Sequence, residues 1–167
     1  MIETERKFLI RYPDTALLEQ LCDRKLSIEQ IYLVTEENVS RRIRKQECRG
    51  ETVYIYGEKE RISSVSRIER EREIPEEEYT ELRKDAVPGS GIITKTRYCI
   101  PAGELCFEVD VFPEWTDRAF AEVELEDEDQ RFTIPDCLSV IKEVTDDGRY
   151  TNSSLALNGF VYERIPT

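Results

Sequence analysis

Charged and apolar residues alternate at every second position in segment after segment, and this constrains the fold more than anything else in the chain. In VSRRIRK, Arg42 and Arg44 fall on one parity and Ile43 on the other. In SRIEREREI, Arg67, Glu69, Glu71 and Glu73 share one side, opposite Ile68 and Ile74. ITKTRY pairs Lys95 with Arg97, CFEVDVF alternates Glu108 and Asp110 with Phe107, Val109 and Val111, and AEVELE alternates Glu122, Glu124 and Glu126 with Val123 and Leu125. The opening MIETERKF does the same with Glu3, Glu5 and Lys7. A period of two belongs to strands, whose alternate side chains share a face at roughly 6.6 Å spacing, so neighbouring carboxylates can reach one ion. On a helix the same residues would fan out.

An ordinary half-buried antiparallel sheet turns its charged face to water. Two features point elsewhere. The charges are sorted by strand, carboxylates concentrated in some and guanidinium or ammonium groups in others, and the apolar parity is regular enough to be a core face packed beneath helices. Closing such a sheet with its charged side inward makes a barrel with a polar interior, and around eight strands is the size that encloses one small ligand.

The remaining segments supply the flanking pieces. Asp14 caps a short helix carrying Leu17, Leu18 and Leu21. QIYLVTEENVSRRIRK reads as a hairpin turning at TEEN, and TVYIYGEKE as the next strand. Pro75 followed by three glutamates starts a helix in PEEEYTELRKDA. Pro88 to Gly91 form a loop, and PAGE turns the chain between strands. Short helices are expected in PEWTDRAF, in DCLSVIKEV and at NSSLAL, the last with Asn152 as cap and Gly159 as stop. The expected class is α+β in a single domain over residues 1–167: a closed antiparallel eight-stranded barrel, or tunnel, with a charged interior and flanking helices. No P-loop, G-x-G-x-x-G or fixed-period repeat occurs.

Composition narrows the chemistry. With 36 acidic residues against 24 basic the formal charge is −12, which disfavours binding to a nucleic-acid backbone. The chain has no histidine, excluding Ser-His-Asp and Cys-His nucleophiles and histidine metal ligation. A metal would be held mainly by oxygen, as magnesium, manganese or calcium are. The five cysteines are scattered and never C-x-x-C, so reduced packing residues are expected. No apolar run has membrane-spanning length, and no signal-like segment precedes the first strand, so a cytoplasmic protein without membrane partners is expected.

Like charges 4 Å apart repel by about 4 kcal/mol at an effective dielectric near 20, so clustered carboxylates need cations beside them. Arginine forks suit phosphate oxygens, and lysine serves as a point charge. A cavity holding both patches suits a metal-chelated polyphosphate.

These motifs resemble the CYTH family, also called triphosphate tunnel metalloenzymes. E-T-E-R-K is similar to the family's E-x-E-x-K, and R-I-R at 42–44, R-I-E-R-E at 67–71, K-T-R at 95–97, F-E-V-D-V-F at 107–112, E-V-E-L at 122–125, K-E-V-T at 142–145 and R-Y-T-N at 149–152 follow in the family's order. The resemblance implies a small-molecule triphosphate substrate bound with Mg2+ or Mn2+ inside the barrel. It implies Glu3, Glu5, Glu122 and Glu124 as metal ligands, with one of the opening pair orienting the attacking water. Lys7, Arg42, Arg44, Lys95 and Arg97 form the phosphate clamp, and Arg67 and Lys142 are further candidates for the basic wall. Glu69, Glu71, Glu108 and Asp110 would hold a second metal or position the basic groups. Glu5 and Lys7 are the expected catalytic pair. One departure stands out: VYIYG places Tyr56 where relatives often have a lysine, and Lys59 three residues on has the opposite parity. The implied activity is a metal-dependent triphosphatase; an adenylate cyclase, a thiamine triphosphatase and a non-catalytic polyphosphate- or nucleotide-binding module are the alternatives.

Overall fold

A computed structural model describes residues 2–63 and 66–166, the side chains of Ile2 and Glu3 excepted. Nine strands are built: β1 (Ile2–Arg11), β2 (Arg24–Leu33), β3 (Val39–Cys48), β4 (Glu51–Arg61), β5 (Ser66–Ile74), β6 (Ile93–Ala102), β7 (Leu105–Val111), β8 (Arg118–Leu125) and β9 (Val140–Glu143). Three short helices join them: α1 (Thr15–Leu21), α2 (Glu76–Leu82) and α3 (Asn152–Asn158). The strands run β5-β4-β3-β2-β6-β7-β8-β1, and β5 pairs back onto β1. All pairings are antiparallel, so the eight strands form the expected closed barrel.

The closing seam is short. Among the described residues β1 meets β5 at Ile2↔Ile68, Glu3↔Arg67 and Thr4↔Ser66, whereas its other edge follows β8 from Thr4 to Arg11. Two side-chain contacts fasten the seam: the Thr4 and Ser66 hydroxyls lie 3.0 Å apart, and Arg67 reaches Glu5 at 3.4 Å. Beyond it, the β1 edge would carry unpaired donors and acceptors, which proteins rarely leave open. β9 fills this stretch, pairing with Phe8, Leu9 and Ile10. The flanking bonds Val144 N–H to Lys7 C=O (2.8 Å) and Arg11 N–H to Ser139 C=O (2.9 Å) extend it. The helix expected in DCLSVIKEV is therefore wrong: Val140 and Ile141, β-branched residues, complete a sheet edge.

PEWTDRAF is not helical either. Residues 113–117 turn, and Arg118 onward is β8. The turn drives Trp115, 1% exposed, into a cluster with Phe112, Phe120, Tyr150 and Phe160. Its indole N–H donates to the Val161 carbonyl at 3.0 Å, meeting the need of a buried Trp for a partner.

The apolar parity makes three cores. Phe8, Ile10, Tyr98, Ile100, Phe107, Val109, Ala121 and Val123 form one with Leu18 of α1. Ile31, Leu33, Ile43 and Ile74 form another with Tyr79 of α2. The Trp115 cluster, with Leu155 and Ala156 of α3, is the third. Asp14 caps α1 by accepting from Leu17 N–H at 3.2 Å. At α3 the cap is Thr151, whose Oγ1 accepts from Ser154 N–H at 3.1 Å, instead of the expected Asn152. Gly159 stops that helix at φ 95°, a conformation that favours glycine.

Candidate functional site

Inside the barrel is a cavity of about 570 Å³. Its wall includes Glu5, Lys7, Arg42, Arg44, Arg67, Glu69, Glu71, Lys95, Arg97, Glu108, Glu122 and Glu124. Twelve expected site residues from six strands thus share one enclosed face. Alternation makes this so: the apolar partners of each strand turn outward into the cores, leaving the charged parity inside.

The wall has two halves. Across β1 and β8, Glu5 stands opposite Glu124 and Lys7 opposite Glu122, and β7 brings Glu108 opposite Glu122. β3 and β6, either side of β2, contribute Arg42, Arg44, Lys95 and Arg97. Lys7 Nζ lies 3.4 Å from Glu122 and 3.9 Å from the centre of the Phe120 ring, so its ammonium is held between a carboxylate and an aromatic face. Arg42 lies 3.7 Å from both Glu69 and Glu71.

Asp110 is not where a metal could use it. It is 0% exposed, takes Arg97 Nε and Nη2 at 2.7 and 2.9 Å, and Lys95 Nζ at 2.8 Å. Burial would raise its carboxyl, but Arg97 and Lys95 hold it well below the usual carboxylate range. Burial opposes the Arg97 charge too, and Asp110 outweighs that, holding Arg97 well above its ordinary value. Lys95 is pushed down to about 7 by burial, against the pull of Asp110. Of the two roles expected for Asp110, positioning basic groups is the one its contacts support.

Lys142 is a second correction. It pairs with Glu163 and lies over the Tyr150 ring at 5.3 Å, and it does not line the cavity itself. β9 sits on the β1 edge outside the eight-stranded ring, and none of its residues lines the cavity. Glu3 is on β1 opposite Arg67, but its side chain lies outside the described residues.

The parity assigned to β4 is also reversed. Tyr56 faces outward, where it packs in the α2 core, takes a bond from Arg41 Nε at 2.8 Å and donates to Glu58 at 2.6 Å. Ile55, Gly57, Lys59 and Arg61 face the cavity. A Cβ at Gly57 would sit 3.5 Å from Arg42 Nε and 3.6 Å from Glu71 Cγ, so the bare backbone there leaves room for those side chains. Lys59, paired across to Glu69 and Ser40, therefore brings an ammonium to the wall, and no cation is lost with Tyr56.

Sequence reading missed Gln30, Tyr32, Thr145 and Asn152. Gln30 and Tyr32 occupy the inward parity of β2, readable from Q-I-Y-L had its register been known. Thr145, Thr151, Asn152 and Ser153 reach the cavity from the C-terminal segment, and Asn152 Oδ1 accepts from Lys95 Nζ at 3.4 Å.

The donor set is all oxygen, which suits a hard divalent cation. Glu5 and Glu124 face each other across the β1–β8 pair with Glu122 beside them, in chemistry that fits such an ion. Among the described residues no three carboxylates already converge on one point, since Glu5 is drawn to Arg67 and Glu122 to Lys7.

Against known families, the CYTH domain matches residues 1–136. The chain belongs to the CYTH family. An inorganic triphosphatase of Nitrosomonas europaea is 35% identical over 165 residues, covering 95% of this chain and 99% of that protein. An inorganic triphosphatase of Acetivibrio thermocellus is 37% identical over 99 residues, 59% of this chain and 62% of that one, so this match spans under two thirds of the relative. The crystal structure of an inorganic triphosphatase superposes with a TM-score of 0.58 at 30% identity, over 93% of this chain and 95% of that one. In this CYTH chain the segment beyond the family match contributes Thr145 and residues 150–153 to the cavity. Among the described residues no helix is long and apolar enough to cross a membrane.

Proposed function

We propose that this protein hydrolyses inorganic triphosphate, held in the barrel as its complex with magnesium or manganese. The observation that carries this reading is the pairing inside one cavity of buried arginine and lysine side chains with a facing set of carboxylates. A polyanion chelated to a cation complements both halves at once. Resemblance to inorganic triphosphatases names the substrate within that class.

Glu5, Glu122 and Glu124, with Glu3, would hold the cation; Glu69, Glu71 and Glu108 instead orient the basic groups through Arg42 and Arg97. When bound, the cation offsets phosphate charge and lowers the pKa of the attacking water. Arg42, Arg44, Lys95, Arg97, Arg67 and Lys59 align the phosphate chain and stabilise charge spreading onto the transferred phosphoryl group. Glu5 takes the proton of the attacking water, and Lys7 stands beside the reacting phosphate. Residues 1–167 act as one domain, in the cytoplasm, on a small molecule without nucleic-acid or membrane partners.

The test is incubation with triphosphate, ATP and thiamine triphosphate under magnesium and then manganese, recording phosphate, pyrophosphate and cyclic AMP. Fast phosphate release from triphosphate is expected. Preferential formation of cyclic AMP and pyrophosphate from ATP would replace the reading with a cyclase, preference for thiamine triphosphate would change the substrate, and binding with no product would leave a binding module. Two substitutions test the revised wall. Lys59→Met should raise KM for triphosphate about tenfold, the loss of one charged contact, and Lys142→Ala should leave kcat/KM within about twofold, as an exposed pair outside the ring implies. Equal kinetics for Lys59→Met and wild type would remove Lys59 from the clamp.

A further inference from the structure

Three cations of the cavity wall are almost fully buried: Arg44, Lys95 and Arg97, at 6, 2 and 8% exposure. Lys95 and Arg97 share the Asp110 carboxylate. Arg44 is held differently. Its Nε and Nη2 both donate to Oε1 of Gln30, at 2.9 and 2.8 Å, and Gln30 is directly opposite it across the β2–β3 pair. Gln30 is 0% exposed, and its own amide N–H donates to the Tyr32 hydroxyl, which locks the amide orientation. Burial, with repulsion from Arg42 and Arg97, pushes Arg44 down to about 9. A buried charge ordinarily demands a counter-charge, and a neutral amide supplies direction without one. Glu71 acts on Arg44 from across the cavity wall but makes no ion pair with it, so an anion in the cavity can complete the local field.

We propose that Gln30 is a positioning residue for anion binding, clamping the Arg44 fork in one orientation without adding a counter-charge of its own, so that the guanidinium stays available to a substrate phosphate. The inference rests on the reading of the cavity as a polyphosphate site. A glutamate here would have the same shape and could still accept both bonds from Arg44, but it would cancel the charge before substrate arrived.

That near-isosteric pair makes the test. Gln30→Glu is expected to raise KM for triphosphate by about 10- to 100-fold, the range for a close buried charge pair, with kcat within about threefold. Its urea midpoint should equal or exceed that of wild type, because the new carboxylate meets a buried guanidinium. Gln30→Met, which removes the acceptor but adds no charge, is expected to raise KM by about three- to tenfold. A purely structural clamp predicts the reverse order, with the glutamate variant near wild type and the methionine variant worse, and that result would overturn the proposal. A methionine variant with wild-type KM would overturn it as well, even if the glutamate variant failed to fold.

Calorimetric titration of the metal-free protein with inorganic pyrophosphate separates this inference from the hydrolytic one. If wild type binds pyrophosphate and Gln30→Glu loses that binding at least tenfold, the assignment stands whether or not triphosphate is turned over. Equal binding by the two proteins, or none by wild type, sinks it.

Discussion

Asp110→Ala is expected to destabilise the protein by about 3 to 5 kcal/mol, the range for removing one partner of a buried ion pair. The carboxylate is fully buried and serves two cations, Arg97 through two hydrogen bonds and Lys95 through one close contact. Taking it away strands both in a desolvated wall. Glu108 reaches Arg97 at 2.8 Å and compensates in part, from a half-exposed position. The effect has a pH signature. Asp110 titrates below its unfolded value, so its contribution is present above about pH 3.9 and is lost as pH falls through the folded value. Lys95, lowered to about 7, is protonated in both folded and unfolded chains in that acid range and adds no slope there. Urea unfolding of wild type and variant should therefore differ widely at pH 7 and converge in acid. Coincident midpoints at pH 7 would show that Asp110 is dispensable to the wall.

Glu5→Gln is expected to lower turnover of triphosphate by about 100- to 1000-fold, the range for losing a group that moves a proton in the transition state. Glu5 lines the cavity opposite Glu124, next to the Lys7 and Glu122 pair. Its described partner is Arg67 at 3.4 Å across the closing seam. That contact is long and the neutral amide can still accept from Arg67, so the unfolding free energy should stay within about 1 kcal/mol of wild type. Phosphate release measured at saturating substrate, alongside a urea midpoint, separates chemistry from folding. Near-normal release from a folded variant would exclude Glu5 as the proton acceptor.

The two substitutions concern residues with the same type of side chain, both identified from the same alternation, and the structure parts them. Glu5 and Asp110 each follow the charged parity of their strands, and no feature of I-E-T-E-R-K or F-E-V-D-V-F distinguishes a wall residue from one sealed behind it. The difference arises because Asp110 lies opposite Phe120 on one side and Arg97 on the other, deep enough that it lines no open volume. Lys142 shows the same limit. Its segment K-E-V-T reads as part of the family pattern, but β9 attaches outside the closed ring, so parity there does not lead inward. On β4, taking Tyr56 as the inward position reverses the faces, because Val53 through Glu60 carries too little apolar contrast for the sequence to mark which side is core. Gln30 escapes the sequence for a related reason: its neutral amide adds nothing to a charge pattern, and its role exists only through Arg44 across the register.

Alternation within each strand follows from local chain geometry, and with it the amino-acid order alone determined that most strands present one charged and one apolar face. The same order determined the sorting of acid from base among strands and the absence of any imidazole chemistry. Which charged groups meet, and which of them are already neutralised before a ligand arrives, depends on strand order, register and the short β1–β5 closure. The closure joins residues some sixty positions apart, and all three are set by how the apolar faces pack outward and how the sheet closes on itself, so only the folded barrel decides them.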